Sequence, residues 1–161
     1  DWAGGTTFTD RREMLVRGSA EETFAEIRSI GGQKGYWGAG YLWHIRGWMD
    51  QAIGGPGLRR GRRHPRDLHF GEAVDFWRVT KVVPNRRLTL RAEMKLPGEA
   101  ELDFQLEPRS AETTQVVMTA RFRPRGLLGL AYWYSVLPLH GLVFPVMLRG
   151  IAKNVEAAAD M

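Results

Sequence analysis

Asp75 and His140 are the side chains of this chain best placed to exchange a proton. Asp75 stands in Val74-Asp75-Phe76-Trp77-Arg78-Val79, where period-two alternation puts Asp75, Trp77, Val79 and Val83 on one face and Val74, Phe76 and Val82 on the other. If the Trp77 face looks inward, burial raises the carboxyl pKa and suits Asp75 to proton transfer or to holding a polar ligand group. In the other register Asp75 is a strand-end carboxylate paired with an arginine such as Arg78, which is the more economical account. His140 sits in a long uncharged stretch and reads as a hydrogen-bonded histidine of a core or cavity. Glu93 and Lys95 alternate with Met94 and read as a charged pair on a solvent face.

Other chemistries find no support. The histidines at 44, 64, 69 and 140 lack metal-ligand spacing, so no metal site is expected. Ser135 and His140 are five residues apart on a helix, off a common face. There are no cysteines, so disulfides and thiolate chemistry are excluded. No Gly-x-Gly-x-x-Gly motif occurs, so no dinucleotide site or other cofactor is assigned to this domain. No catalytic constellation emerges, and whether the chain is an enzyme stays open.

Aromatic residues are the abundant resource. Trp43, Trp48, Trp77 and Trp133, with Tyr36, Tyr41, Tyr132 and Tyr134, supply large apolar area. Packing accounts for most of them, and the remainder suit the wall of an apolar ligand space. The net charge of +5 is moderate, and five arginines fall between Arg59 and Arg66. That cluster is not interleaved with aromatics and matches no nucleic-acid motif, so a solvated basic loop or a face towards another domain is expected.

The elements that must position these groups follow from periodicity. A first strand is expected over Thr6–Arg17, then a helix opened by the capping box Ser19-Ala20-Glu21-Glu22 and running to about Ile30. Tyr41, Ile45, Trp48 and Ala52 have helical spacing, which predicts a second helix over Gly40–Ile53. Glu72–Phe122 reads as successive antiparallel strands with one apolar and one wetted face, separated by turns at Pro84-Asn85, Pro97-Gly98 and 108–112. Their apolar face needs a cover, and Leu127–Ala159 is the segment long enough. Leu127–Leu148 carries no formal charge and meets the length test for a membrane span, but Pro138, His140, Gly141 and Pro145 interrupt it. The two prolines are expected to bend or break this helix. A curved antiparallel sheet wrapped around a long C-terminal helix, with two short helices after strand 1, is an α+β helix-grip fold in one domain over 1–161.

Several blocks, Trp37–Asp50, Gly57–Gly61, Asp75–Val79, Arg91–Gly98 and Tyr132-Trp133-Tyr134, resemble the family known as domain of unknown function 2867. That family is related to the START, Bet v 1-like and polyketide-cyclase-like (SRPBCC) superfamily. The resemblance implies a helix-grip fold with an apolar cavity, following an NAD(P)-binding, short-chain-dehydrogenase-like or epimerase-like domain in one bacterial polypeptide. The chain begins at Asp1 without Met or a signal peptide, so it is expected to be part of such a protein, in the cytoplasm. The resulting expectation is a binding domain for a small hydrophobic or lipid-like molecule. Trp43, Trp48, Trp77, Met94, Trp133 and His140 are its candidate wall, and Asp75 is its polar anchor. The alternatives are a cyclase- or dehydratase-like enzyme in which Asp75 and His140 exchange protons, and a packed interaction domain whose uncharged helix surface docks a partner, a second copy or a membrane surface.

Overall fold

A computed structural model describes residues 7–31, 36–37, 44, 48, 52, 64, 66–75, 77–93 and 97–161. Among them six strands form one antiparallel sheet: β1 (Phe8–Arg17), β2 (Ala73–Val74), β3 (Trp77–Val83), β4 (Arg87–Ala92), β5 (Gly98–Pro108) and β6 (Thr113–Pro124). The spatial order is β1-β6-β5-β4-β3-β2, so the first strand of the chain lies beside the last. Helix α1 (Ala20–Ile27) follows β1, and helix α2 (Gly126–Ala159) closes the chain.

Alternation builds the inner face as expected. Leu88 and Leu90 of β4, Leu102, Phe104 and Leu106 of β5, and Val116 and Met118 of β6 are buried there. Val143, Phe144, Met147, Leu148, Ile151 and Val155 of α2 join the same core. Burying this much apolar surface, at about 25 cal/mol per Å², is what holds the helix on the sheet. Close approach also needs a small residue on the helix: a Cβ at Gly150 would overlap the Cβ of Trp37. The capping box is present, with Ser19 N donating to Glu22 Oε2 (2.9 Å) and Glu22 N donating to Ser19 Oγ (3.2 Å). The helix it opens stops at Ile27, short of the expected Ile30, and Ile30 is nonetheless fully buried. His44, Trp48 and Ala52 are helical, and the rest of the predicted second helix lies outside the described residues.

Four expectations need correction. The prolines do not break α2, which is continuous for 34 residues through Pro138 and Pro145. Packing of its C-terminal half into the core offsets the missing backbone donors. Val83 is 39% exposed, whereas Val82 packs on the core. The cause is a bulge between Val79 and Lys81, which adds a residue and switches the inward face midway along β3. Asp75 is not a strand residue, because Val74 pairs with Trp77 and Asp75 therefore occupies the connecting turn. Its φ of 51° is left-handed, a conformation that aspartate tolerates better than most residues.

Fourth, the outer sheet face is not uniformly wetted. Asp103 is 1% exposed there, although it was expected on the polar side of β5. Arg87 donates to it through Nε and Nη2 at 2.9 Å each, and Thr89 Oγ1 donates at 2.7 Å. Arg121 lies 3.6 Å away. A carboxylate withdrawn from water in this way is tolerated because its oxygens are bonded by charged and polar donors. Asp103→Ala is expected to cost about 3 kcal/mol, since it removes the buried carboxylate that bonds Arg87, Thr89 and Arg121 together. Glu99→Ala, which removes half-exposed ion pairs with Arg91 and Arg125, should cost less than about 1 kcal/mol. Urea unfolding of both variants checks the contrast; equal losses would refute it.

Candidate functional site

The inner face changes character towards the N-terminal half of α2. Where Leu88, Phe104 and Met118 fill the space further along, β4, β5 and β6 present Ala92, Ala100 and Ala120. Above these short side chains lie Trp133, Val136, His140 and Val143 of α2, with Trp77 and Phe122 at the sides. The mismatch between short strand residues and the helix above them leaves a cavity of about 70 Å³ that opens towards solvent. Leu139, 45% exposed, stands at this opening.

Ring packing fixes the wall. Trp133 stacks between Phe8 (centroids 5.4 Å apart) and Phe122 (6.0 Å). His140 stacks on Phe144 at 4.6 Å and meets the edge of Trp133 at 5.5 Å. These residues recur on one side of α2 at 133, 136, 140 and 144, the helical spacing that makes a continuous stripe. Ser135 lies off that stripe and donates to the Ala131 carbonyl at 2.7 Å.

Of the residues expected in the wall, Trp77, Trp133 and His140 are brought together around this cavity. Trp48 is 70% exposed and lies outside it. Trp43 and Met94 lie outside the described residues. Asp75 is buried but does not line the cavity, so it does not face His140 across it. Arg78 is not its partner either: that guanidinium grips Glu93 at 2.6 Å, a pair across the sheet, while Lys95 lies outside the described residues.

Asp75 instead accepts a 2.8 Å hydrogen bond from Tyr36 Oη. Burial pushes the Tyr36 phenol well above its ordinary pKa, and the Asp75 charge and hydrogen bond push the same way, while the neighbouring Trp77 side chain opposes them. Tyr36 thus neighbours both Asp75 and the Trp77 side chain of the cavity wall.

Sequence reasoning missed Asp10 and Arg12. Both lie on the inner side of β1, where Asp10 pairs in register with Ala120 of the cavity floor. The Asp10 carboxylate sits 3.8 Å from His140 Nδ1 and 3.2 Å from Arg12 Nε. Among the described residues no cluster of His, Cys, Asp and Glu is suited to a metal. Most of the Arg59–Arg66 cluster lies outside the described residues; His64 accepts from the backbone of Asp67 at 3.2 Å and forms a local turn.

A six-stranded antiparallel sheet closed by one long C-terminal helix, with a cavity between them, is the Bet v 1-like helix-grip architecture. Solved structures agree. Truncated norcoclaurine synthase from Thalictrum flavum superposes with a TM-score of 0.57 at 11% identity, covering 96% of this chain and 97% of that one. The Zhui aromatase/cyclase from Streptomyces sp. R1128 gives 0.55 at 15% identity, covering 94% of each chain. Protein CV1439 from Chromobacterium violaceum gives 0.52 at 15% identity, covering 92% of this chain and 96% of that one. No curated protein sequence matches. Residues 2–147 match the family described as protein of unknown function DUF2867, and the chain belongs to that family.

The Tyr36 environment carries a pH signature. A phenol whose folded pKa is raised contributes fully to stability below about pH 10, and that contribution falls as pH rises further, because the unfolded chain ionises first. Tyr36→Phe is expected to lower stability at pH 8 by about 1–3 kcal/mol, the cost of removing this buried hydrogen bond to a carboxylate. It should also flatten the decline between pH 9.5 and 11. Urea midpoints across that range test this, and an unchanged slope would count against it.

Proposed function

We propose that this domain binds a small hydrophobic molecule in the cavity between the sheet and the N-terminal half of α2. The observation that carries this reading is the alanine floor beneath an aromatic roof. Ala92, Ala100 and Ala120 leave room where a packed core would place larger side chains. An apolar pocket with a few polar groups is the usual form of a small-molecule site. The norcoclaurine synthase structure with dopamine and hydroxybenzaldehyde bound supports it by analogy, since that protein shares the fold.

Size limits the ligand. About 70 Å³ is half or less of the roughly 150 Å³ that holds benzene in a dry protein cavity. A ring therefore enters only if a wall residue moves, and Leu139, half-exposed at the opening, is the residue free to do so. In the longer bacterial polypeptide that the family resemblance implies, the domain would present its ligand to an upstream NAD(P)-binding domain in the cytoplasm.

Toluene titration followed by two-dimensional NMR tests the reading. The expected result is saturable shifts at residues around Trp133 and Phe122. Leu139→Ala, which removes three wall carbons at an exposed site, should tighten binding severalfold. Ala120→Leu, which fills the floor, should abolish it. Toluene affinity unaffected by either variant would exclude this cavity as the binding site.

A further inference from the structure

The side of α2 turned away from the sheet is apolar and exposed. Leu127 and Leu128 are 84% and 78% exposed, and Tyr134, Leu139, Leu142 and Val146 are exposed further along. Helical spacing puts Leu127, Ala131, Pro138 and Leu142 on one line, with the others flanking it. From Leu127 to Val146 the stripe is about 30 Å long. It carries no formal charge. A single exposed leucine is ordinary, but a continuous stripe of this length marks an interaction surface. Only 39% of the most apolar window of α2 is buried. The opposite side of the helix, with Phe144, Met147 and Ile151, is core. With the fold intact α2 therefore cannot cross a bilayer, but it can lie in the plane of one.

Both ends of the stripe are cationic. At the start of α2, Arg91, Arg121, Arg123 and Arg125 stand against Glu99 and Glu101. Glu99 is shared by Arg91 and Arg125, and Glu101 pairs with Arg121. Asp103, also near Arg121, is matched by Arg87. The first turn of α2 has no acidic residue and no side-chain cap, so the positive end of the helix dipole adds to this excess. At the other end Arg149 and Lys153 are exposed on the same side. Glu156 beyond them is held by Arg17 at 3.5 Å, and Asp160 caps the helix. On the β1 flank Arg12 is matched by Asp10. A second copy fits this pattern poorly, because two such stripes packed in either direction bring cations against cations. The surface calls for an occupant that is apolar in the middle and anionic at the rim.

We propose that α2 docks the domain flat on an anionic bilayer, with Leu127 and Leu128 seated below the headgroups and Arg125 and Arg149 among the lipid anions. Leu139 joins this face to the cavity opening, which is thereby turned towards the lipid. The docking does not rest on the cavity holding a ligand.

Flotation of the full chain with vesicles of phosphatidylserine and phosphatidylcholine in equal parts tests this, with phosphatidylcholine alone as reference. Binding to the anionic vesicles is expected to be about tenfold tighter or more. Leu127→Ser/Leu128→Ser, at sites too exposed to hold the fold, should weaken it about tenfold or more, with the urea midpoint unchanged. Arg125→Gln and Arg149→Gln should each weaken it about fivefold. The chain has no cysteine, so nitroxide labels at Leu128→Cys, Leu142→Cys and Glu107→Cys each report one position. The two α2 labels are expected to become shielded from a water-soluble nickel chelate on vesicle binding. The label replacing Glu107, at the far end of β5, should stay accessible. Equal binding to both vesicle types, full binding by the double-serine variant, or shielding of all three labels overturns the proposal. Failure to bind vesicles overturns it too and assigns the face to a protein. That protein is a second copy if the chain self-associates and the double-serine variant restores the monomer, and another partner if the chain stays monomeric.

Discussion

One constraint governs this structure: the inner face of the sheet is apolar and has a single cover. All six strands contribute to that face, and α2 is the element that seals it. The seal is uneven along the helix. From Val143 to Val155 the large buried residues Val143, Phe144, Met147, Leu148, Ile151 and Val155 of α2 join the same core as the Leu, Phe, Met and Val residues of the strands. Nearer the start of α2, Phe122, Trp133 and Val136 form a separate, smaller cluster. Ala120 and Ala92 belong to the edge of the larger cluster and Ala100 packs on the smaller one, so short strand residues meet where the two adjoin. The cavity is thus a consequence of where strand side chains are short, and the long rigid segment after Val143 keeps the helix from collapsing onto it.

The same helix explains why composition alone misleads. It is the one described helix long and apolar enough to span a bilayer, at a mean hydropathy of 1.5 over its best window. Its apolarity has two sources. Phe144, Met147 and Ile151 are core, whereas Leu127, Leu128 and Leu142 are more than 60% exposed. A hydropathy window cannot distinguish a face that lines a protein interior from one that meets solvent.

Much of the fold was legible because its signals are local. Period-two runs predicted β4, β5 and β6, the Ser19 capping box predicted the start of α1, and a long uncharged apolar segment predicted the cover. What failed depended on long-range register. Nothing in Val79-Thr80-Lys81-Val82-Val83 announces a bulge, because both valines satisfy either face. Asp103 alternates like a surface residue, and its burial follows only from Arg87 and Thr89 of β4 and Arg121 of β6 converging on it from the two flanking strands. Asp10 and Arg12 look like two more charges in a charged strand. Their inward orientation is set by pairing with Ala120 and Met118, more than a hundred residues away. The aromatic wall was half visible: Trp77 and Trp133 are in it, and Trp48 is not, since helical spacing gives a face but not what that face meets.

Two carboxylates lie behind the cavity wall. Asp75 is buried and accepts from Tyr36, and Asp10 lies on the inner side of β1 beside Arg12 and His140. Each carries the cost of withdrawing charge from water. Hydrocarbon of similar shape would keep the helix on the sheet equally well, so packing alone does not account for these groups. Shared fold with norcoclaurine synthase and the Zhui aromatase/cyclase, at 11–15% identity, does not carry their chemistry to this chain.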